Sequence, residues 1–202
     1  MSKIYIIMGK SSTGKDTLYK RIFKDETLNL KRVVPYTTRP IRMGETDGVE
    51  YFFCDGQKAA EFLALGKMIE RRDYHTIHGI WTYFTADDGQ IDLKTNDYLM
   101  IGTLESYQKI REYYGKENVV PIYIEVEDGE RLQRALIRER QQISPKYEEM
   151  CRRFLADAKD FSEENLKSAQ ITVRFRNKDL DKTEQEIKEF ICTNSKGDTD
   201  RD

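Results

Sequence analysis

The residues with the clearest chemical potential stand near the start of the chain, where Gly9-Lys10-Ser11-Ser12-Thr13-Gly14-Lys15 has the glycine spacing and final lysine of a Walker A loop. Glycines at these positions let backbone N–H groups curl around a phosphate, a helix N-terminus adds partial positive charge, and Lys15 reaches toward the β and γ oxygens of a nucleotide. The flanking segments supply the required context: KIYIIMG is an apolar strand pattern and DTLYKRIFKD a helix pattern with Leu18, Ile22 and Phe23 on one side. ATP or GTP is the implied ligand, bound through Gly9, Ser12, Gly14, Lys15, Asp16 and Thr17. Asp16 stands where a Ser or Thr normally holds magnesium, with Thr17 one place on; a carboxylate is itself a hard oxygen ligand, so both are candidates for Mg²⁺.

A second cluster follows at Tyr36 to Phe53, where Arg39, Arg42 and Tyr51 lie in a segment shaped by Pro40, Gly44 and Gly48. Guanidinium groups grip phosphate in forks and a phenol adds a further donor, so the cluster suits an anion beside the first loop.

These residues carry a resemblance. Thr37 to Tyr51 matches the TTR-x-x-R-x-GE-x-(D/N)-G-x-(D/H)-Y pattern of the guanylate kinase family, and the similarity runs to about Ile191. The resemblance implies that Arg39, Arg42 and Tyr51 bind the phosphate of GMP, while the family's serine four places before the first arginine falls on Pro35. MIERRD resembles the family's F-(I/L)-E segment, which implies that Glu70 reads guanine by accepting from N1–H and the exocyclic amine. Trp81-Thr82-Tyr83-Phe84-Thr85 loosely echoes the family's YYG(S/T), adding Tyr83 and Thr85 as substrate contacts. A helical lid is implied, with Arg138, Arg140 and Arg153 as candidates to close on the transferring phosphates; RALIRER replaces the family's RLxxRG, and Arg153 in MCRRFLADA fits best. Leu99 to Glu105 lacks both aspartates of the family's LDIDxQG-like strand. The related ribose bisphosphate phosphokinases resemble the chain at Gly-Lys-Asp and in lacking that acidic strand, but not in the full arginine–tyrosine block. Two alternatives to ATP plus GMP giving ADP plus GDP are therefore the same chemistry on a sugar phosphate and a non-catalytic guanylate kinase-like binding module.

Positioning these groups falls to alternating strands and helices. NDYLMIG and VVPIYIEV are further core strands, TLESYQKIREYYG is a helix with Thr103 as N-cap, and QITVRFRN and LDKTEQEIKEFIC are a last strand and helix. GERLQRALIRERQQ and the stretch from Pro145 to Ala169 are helical, separated at Ser144-Pro145. The pattern predicts an α/β P-loop kinase fold with a parallel core sheet. Its core takes residues 1–33, 97–132 and 151–192, with an inserted monophosphate-binding subdomain at 34–96, a lid at 133–150 and a disordered tail at 193–202. In the insert, QKAAEFLALG is a short helix ending at Gly66, and KMIERRDY and GIWTYFT are strands joined by a turn around His75 to Gly79.

Composition narrows the function classes. With 202 residues, 38% hydrophobic and 11% aromatic, the chain can bury one substantial core. Its 34 Lys plus Arg against 36 Asp plus Glu give a net charge of −2, so no global field points to nucleic acid or a membrane. Cys54, Cys151 and Cys192 show no metal or redox spacing and are expected as thiols. The short N-terminal apolar run fits no signal peptide, so a cytoplasmic enzyme is expected, monomeric or homodimeric.

Overall fold

The computed structural model describes residues 2–76 and 79–196. Strand β1 (Ile4–Met8) is buried along its whole length because it sits at the centre of a five-stranded sheet covered on both faces. Its neighbours are β7 (Asp97–Ile101) and β8 (Val119–Glu125), with β2 (Leu30–Arg32) and β9 (Arg174–Arg176) at the edges, all paired parallel. A parallel strand buried on both faces needs apolar residues at every position, which is what IYIIM supplies.

Alternation along β1 divides the core. Tyr5 and Ile7 pack with Leu18 and Ile22 of α1 (Lys15–Phe23) and with Ile187 and Ile191 of α7 (Leu180–Lys196). Ile4, Ile6 and Met8 pack on the opposite side with Leu104, Tyr107 and Ile110 of α3 (Leu104–Tyr114) and Leu166 of α6 (Glu163–Ser168). Thr103 caps α3 as expected, accepting from Ser106 N–H while Ser106 Oγ accepts from Thr103 N–H.

A second sheet, ordered β4-β3-β6-β5, carries the insert. Its long hairpin is β5 (Met68–Thr76) with β6 (Gly79–Ala86), and β3 (Tyr36–Thr37) pairs antiparallel to β6 and parallel to β4 (Phe52–Phe53). The expected turn around His75 to Gly79 falls partly on Ile77 and His78, outside the described residues. On one face Tyr36 stacks on Phe84 at 5.0 Å and meets Phe62 of α2 (Gly56–Ala64) at 4.9 Å, forming a small aromatic core. The other face is left for polar groups.

Three expectations need correction. The segment shaped by Pro40, Gly44 and Gly48, for which the sequence suggests no strand at its start, opens with β3, whose two residues are too few to show a period. The helix expected from Pro145 to Ala169 is two, α5 (Tyr147–Asp160) and α6, because Ser162 accepts from Asn165 N–H and starts a new helix. The disordered tail expected from Thr193 is helical as far as Lys196, and Ser195 Oγ donates to Asp97 Oδ2 at 2.7 Å and lies 2.8 Å from Tyr5 Oη. Residues 197–202 lie outside the described residues. No helix among the described residues is long and apolar enough to cross a membrane.

Leu99, fully buried in β7 between β2 and β1, tests the core. Leu99→Ala is expected to cost about 2–5 kcal/mol, seen as a lower urea midpoint at unchanged slope.

Candidate active site

The loop between β1 and α1 is shaped by close backbone packing. A Cβ at Gly9 would stand 2.5 Å from the Ile124 carbonyl oxygen, and Gly14, at φ 85°, would place one 2.6 Å from Asn177 Nδ2. Neither position admits a side chain without shifting a neighbour. Ser12 adopts φ 66°, a left-handed conformation that costs a non-glycine residue of the order of 1–2 kcal/mol.

Surrounding elements hold the loop from outside. Asn177 Nδ2 donates to Thr13 O at 2.8 Å, and Thr13 Oγ1 donates to Lys10 O at 2.9 Å. Both backbone polar groups of Ser11 are taken: its N–H donates to Asp157 Oδ2 at 2.6 Å, and its carbonyl accepts from Arg131 Nη1 at 3.0 Å. Arg131, in α4 (Asp128–Arg140), is 1% exposed, bonded to Asp128 through Nε and Nη2 and placed 4.5 Å from the Phe154 ring centre. Burial of this guanidinium is offset by those bonds and by the ring face.

Two features point inward. Ser12 Oγ is buried with no protein partner, and α1 begins at Gly14 without the side-chain cap that α2, α3, α4 and α6 all have. Its first N–H groups are thus available to an anion, together with the partial positive charge of the helix end. Lys15 Nζ lies 3.6 Å from Asp16 Oδ2, and the Asp16 side chain is 73% exposed beside the exposed Thr17.

The acceptor cluster assembles on the polar face of the second sheet. Cross-strand register places Glu70 opposite Thr85, Arg72 opposite Tyr83 and Tyr74 opposite Trp81. Thr85 Oγ1 donates to Glu70 Oε1 at 2.8 Å, inside a buried pair. Tyr83 is a hub: its hydroxyl accepts from Arg39 Nε at 3.0 Å, and Tyr51 and Tyr74 meet its ring edge-on at 5.5 and 5.4 Å. Arg39, only 3% exposed, also donates to Pro40 O and forks onto Glu45 at 2.8 and 2.9 Å, so four of its five N–H groups are engaged. That fork holds the Glu45 carboxyl below the usual carboxylate range despite its burial. Burial raises the Tyr51 phenol, so it stays a neutral donor at physiological pH.

Ser11 and Arg42 line a cavity of about 340 Å³ together with Arg131 and Arg138 of α4, Lys146, and Arg153 of α5. Arg153 Nη2 also donates to Ser11 Oγ at 3.3 Å. The phosphate loop, the acceptor loop and the α4–α5 pair thus meet at one place. Arg140 is exposed and does not line this cavity. Sequence reasoning missed Glu45, Arg72, Arg131, Asp157 and Asn177. Only the first two left a local signal: Glu45 lies within the arginine block, and Arg72 shares the Glu70 face through the two-residue period of β5.

A glycine-rich loop opening α1 at the end of a central parallel strand, with Arg42, Arg138 and Arg153 lining a cavity against it, is the arrangement of a P-loop phosphotransferase. The chain belongs to the guanylate kinase family, whose model matches residues 1–194. It is a nucleoside monophosphate kinase. A guanylate kinase of Mycoplasma mobile is 28% identical over 184 residues, 87% of this chain and 81% of that protein. One from Streptococcus mutans is 37% identical over 71 residues, 35% of this chain and 34% of that one. The crystal structure of guanylate kinase from Anaplasma phagocytophilum shares the fold at a TM-score of 0.62 and 20% identity, covering 95% of this chain and 85% of that one.

Because Arg39 depends on Glu45, Glu45→Gln is expected to raise KM for the acceptor about tenfold without changing that for ATP. Hydrogen exchange across residues 39–46 should quicken in the same variant. In the native protein the depressed Glu45 pKa means that the fork stabilises the loop above the unfolded carboxyl pKa of about 4.3. The contribution is lost as pH falls through the lower folded value, and an NMR titration of Glu45 that showed an ordinary midpoint would contradict this.

Proposed function

We propose that the protein transfers the γ-phosphoryl group of ATP to GMP, giving ADP and GDP. The observation that carries this reading is the cavity where Ser11 of the glycine-rich loop, Arg42, Arg138 and Arg153 converge, the same loop leading into Lys15 and the uncapped start of α1.

In this reading Gly9, Ser12, Gly14 and Lys15 hold the donor phosphates. The unpartnered Ser12 Oγ and the open N–H groups of α1 are the matching donors. Arg42, Tyr51 and the remaining N–H of Arg39 receive the GMP phosphate, while Glu70, Thr85 and Tyr83 flank its base. An oxygen of the GMP phosphate forms the new bond to the γ phosphorus as the bond to the bridging oxygen of ADP breaks. Since such transfer passes through a loose state with little covalent help from the protein, rate comes from alignment and charge neutralisation by Lys15, Arg138 and Arg153. Arg140, in the same lid, is exposed and lies outside the cavity lining. Residues 34–96 act as the acceptor-binding unit and 133–150 as the lid, whose closure excludes water.

The exposed Asp16 carboxylate and the Thr17 hydroxyl, in the first turn of α1, fit a hard cation beside the donor phosphates. When bound, Mg²⁺ supplies charge neutralisation of the polyphosphate.

An ADP-release assay across GMP, AMP, dTMP and ribose phosphates tests the assignment: GMP should be a good acceptor, and turnover of ribose phosphates alone would overturn it. Lys15→Ala should cut turnover by more than a hundredfold with an unchanged circular dichroism spectrum; a loss within tenfold, about 1.4 kcal/mol of barrier, would rule out its role. Asp16→Asn should raise the Mg²⁺ concentration giving half-maximal rate, and an unchanged dependence would leave the metal to Thr17.

A further inference from the structure

Helix α5 brings Arg153 to the cavity, yet no residue of the helix is buried and its start has no side-chain cap. Its apolar anchor comes one residue after its end, where the buried Phe161 stacks on Tyr123 with ring centres 5.6 Å apart. Packing of an apolar face is what ordinarily fixes a helix in a fold. With no such face along its length, α5 is placed by its polar contacts.

Three side chains of α5 meet the phosphate loop or the residue that clamps it. Asp157 Oδ2 accepts from Ser11 N–H at 2.6 Å, Arg153 Nη2 donates to Ser11 Oγ at 3.3 Å, and the Phe154 ring centre lies 4.5 Å from the Arg131 guanidinium. Positions four apart lie one turn apart on the same helix face, so Arg153 and Asp157 address Ser11 together. Their contacts differ in strength. The bond to Asp157 is short and charge-assisted, a kind roughly twice as strong as a neutral one. The bond from Arg153 is longer and comes from an exposed side chain. Arg153 has no carboxylate partner among the described residues, so no fork fixes its direction as forks fix Arg39 and Arg131. Where its guanidinium stands follows from where α5 stands.

We propose that Asp157 is a positioning residue for phosphoryl transfer: by binding Ser11 N–H it docks α5 on the phosphate loop and so delivers Arg153, one turn earlier on the same face, to the transferring phosphate. A misplacement of about 1 Å in a group that aligns a reaction costs up to about a hundredfold in rate, so a bond that sets the place of the helix acts on turnover. Asp157 works through Arg153 and not by contact with a substrate. Its own charge is matched by Arg131, whose Nη1 lies 3.6 Å from Oδ2, so it is not an unpaired carboxylate beside a polyphosphate site. The loop does not rely on this bond alone, since Arg131 holds Ser11 O and Asn177 holds Thr13 O. This inference rests on the role proposed above for Arg153.

The test is a double-mutant cycle between Asp157 and Arg153, with kcat, KM for ATP and the circular dichroism spectrum measured for each enzyme. Asp157→Ala should lower kcat by about tenfold and leave KM for ATP within about twofold of native. In an Arg153→Ala background the same substitution should change kcat by no more than about twofold, because no guanidinium remains to be placed. Equal losses in the two backgrounds overturn the proposal, and so does a native kcat in Asp157→Ala. A loss that falls on KM for ATP with kcat unchanged also overturns it, since Asp157 then shapes the loop and nothing further. If Arg153→Ala alone keeps native kcat, the role of Arg153 fails and this inference with it, while the acceptor assignment stands on its own assay. Should Asp157→Ala not fold, Asp157→Glu takes its place in the cycle with the same expectations: it keeps the charge and moves the helix away from the loop by one methylene.

Discussion

The site depends on the clamping of one residue. Ser11 lies in the stretch of the phosphate loop that no glycine shapes, and its N–H and carbonyl are bound by Asp157 and Arg131, from two different helices. Arg131 is in turn fixed by Asp128, which also pairs with Lys10 of the same loop at 3.2 Å. The first turn of α4 and the last turn of α5 are therefore tied to the loop, because the buried Arg131 guanidinium and the Asp157 carboxylate bridge them, while residues 133–150 lie between these two anchors.

The same constraint gives the loop its shape at low internal strain cost. The left-handed Ser12 is unfavourable alone, but it is flanked by a fixed Ser11 peptide and a Thr13 carbonyl held by the buried Asn177. Asn177 follows β9 at the sheet edge and forbids a side chain at Gly14. The loop is thus moulded by residues more than a hundred positions away in the chain.

That distance explains what the sequence disclosed. The glycine spacing, the apolar β1, the Thr103 cap and the arginine–tyrosine block are local patterns, each set by backbone geometry or periodicity within a few residues, and they were legible. Arg131, Asp157 and Asn177 are defined by what they touch across the fold, and nothing in their neighbourhoods marks them. Strands β2 and β3 are too short to show alternation, and the break between α5 and α6 depends on one serine cap inside a continuous helical pattern. At the end of α7, the polar run after Cys192 resembles a solvated tail, yet Ser195 meets Tyr5 and Asp97 at the foot of the sheet. A polar segment is read as disordered when its partners lie elsewhere in the chain.

Pairing sorts the arginines in a way that their spacing does not. Arg39, Arg72 and Arg131 are well buried, each forked or doubly bonded onto a carboxylate, Glu45, Glu70 and Asp128 respectively. Such a guanidinium is fixed in direction, and its residual N–H groups face a set place, which suits orientation of a ligand more than neutralisation of its charge. Arg42, Arg138 and Arg153 are exposed, line one cavity and have no carboxylate partner among the described residues. An anion that binds them need not break a fork of the kind that holds Arg39, Arg72 and Arg131, although Glu139 and Glu149 line the same cavity. The chain thus holds two kinds of arginine, forked ones whose free N–H groups have a set direction and unforked ones that line the cavity.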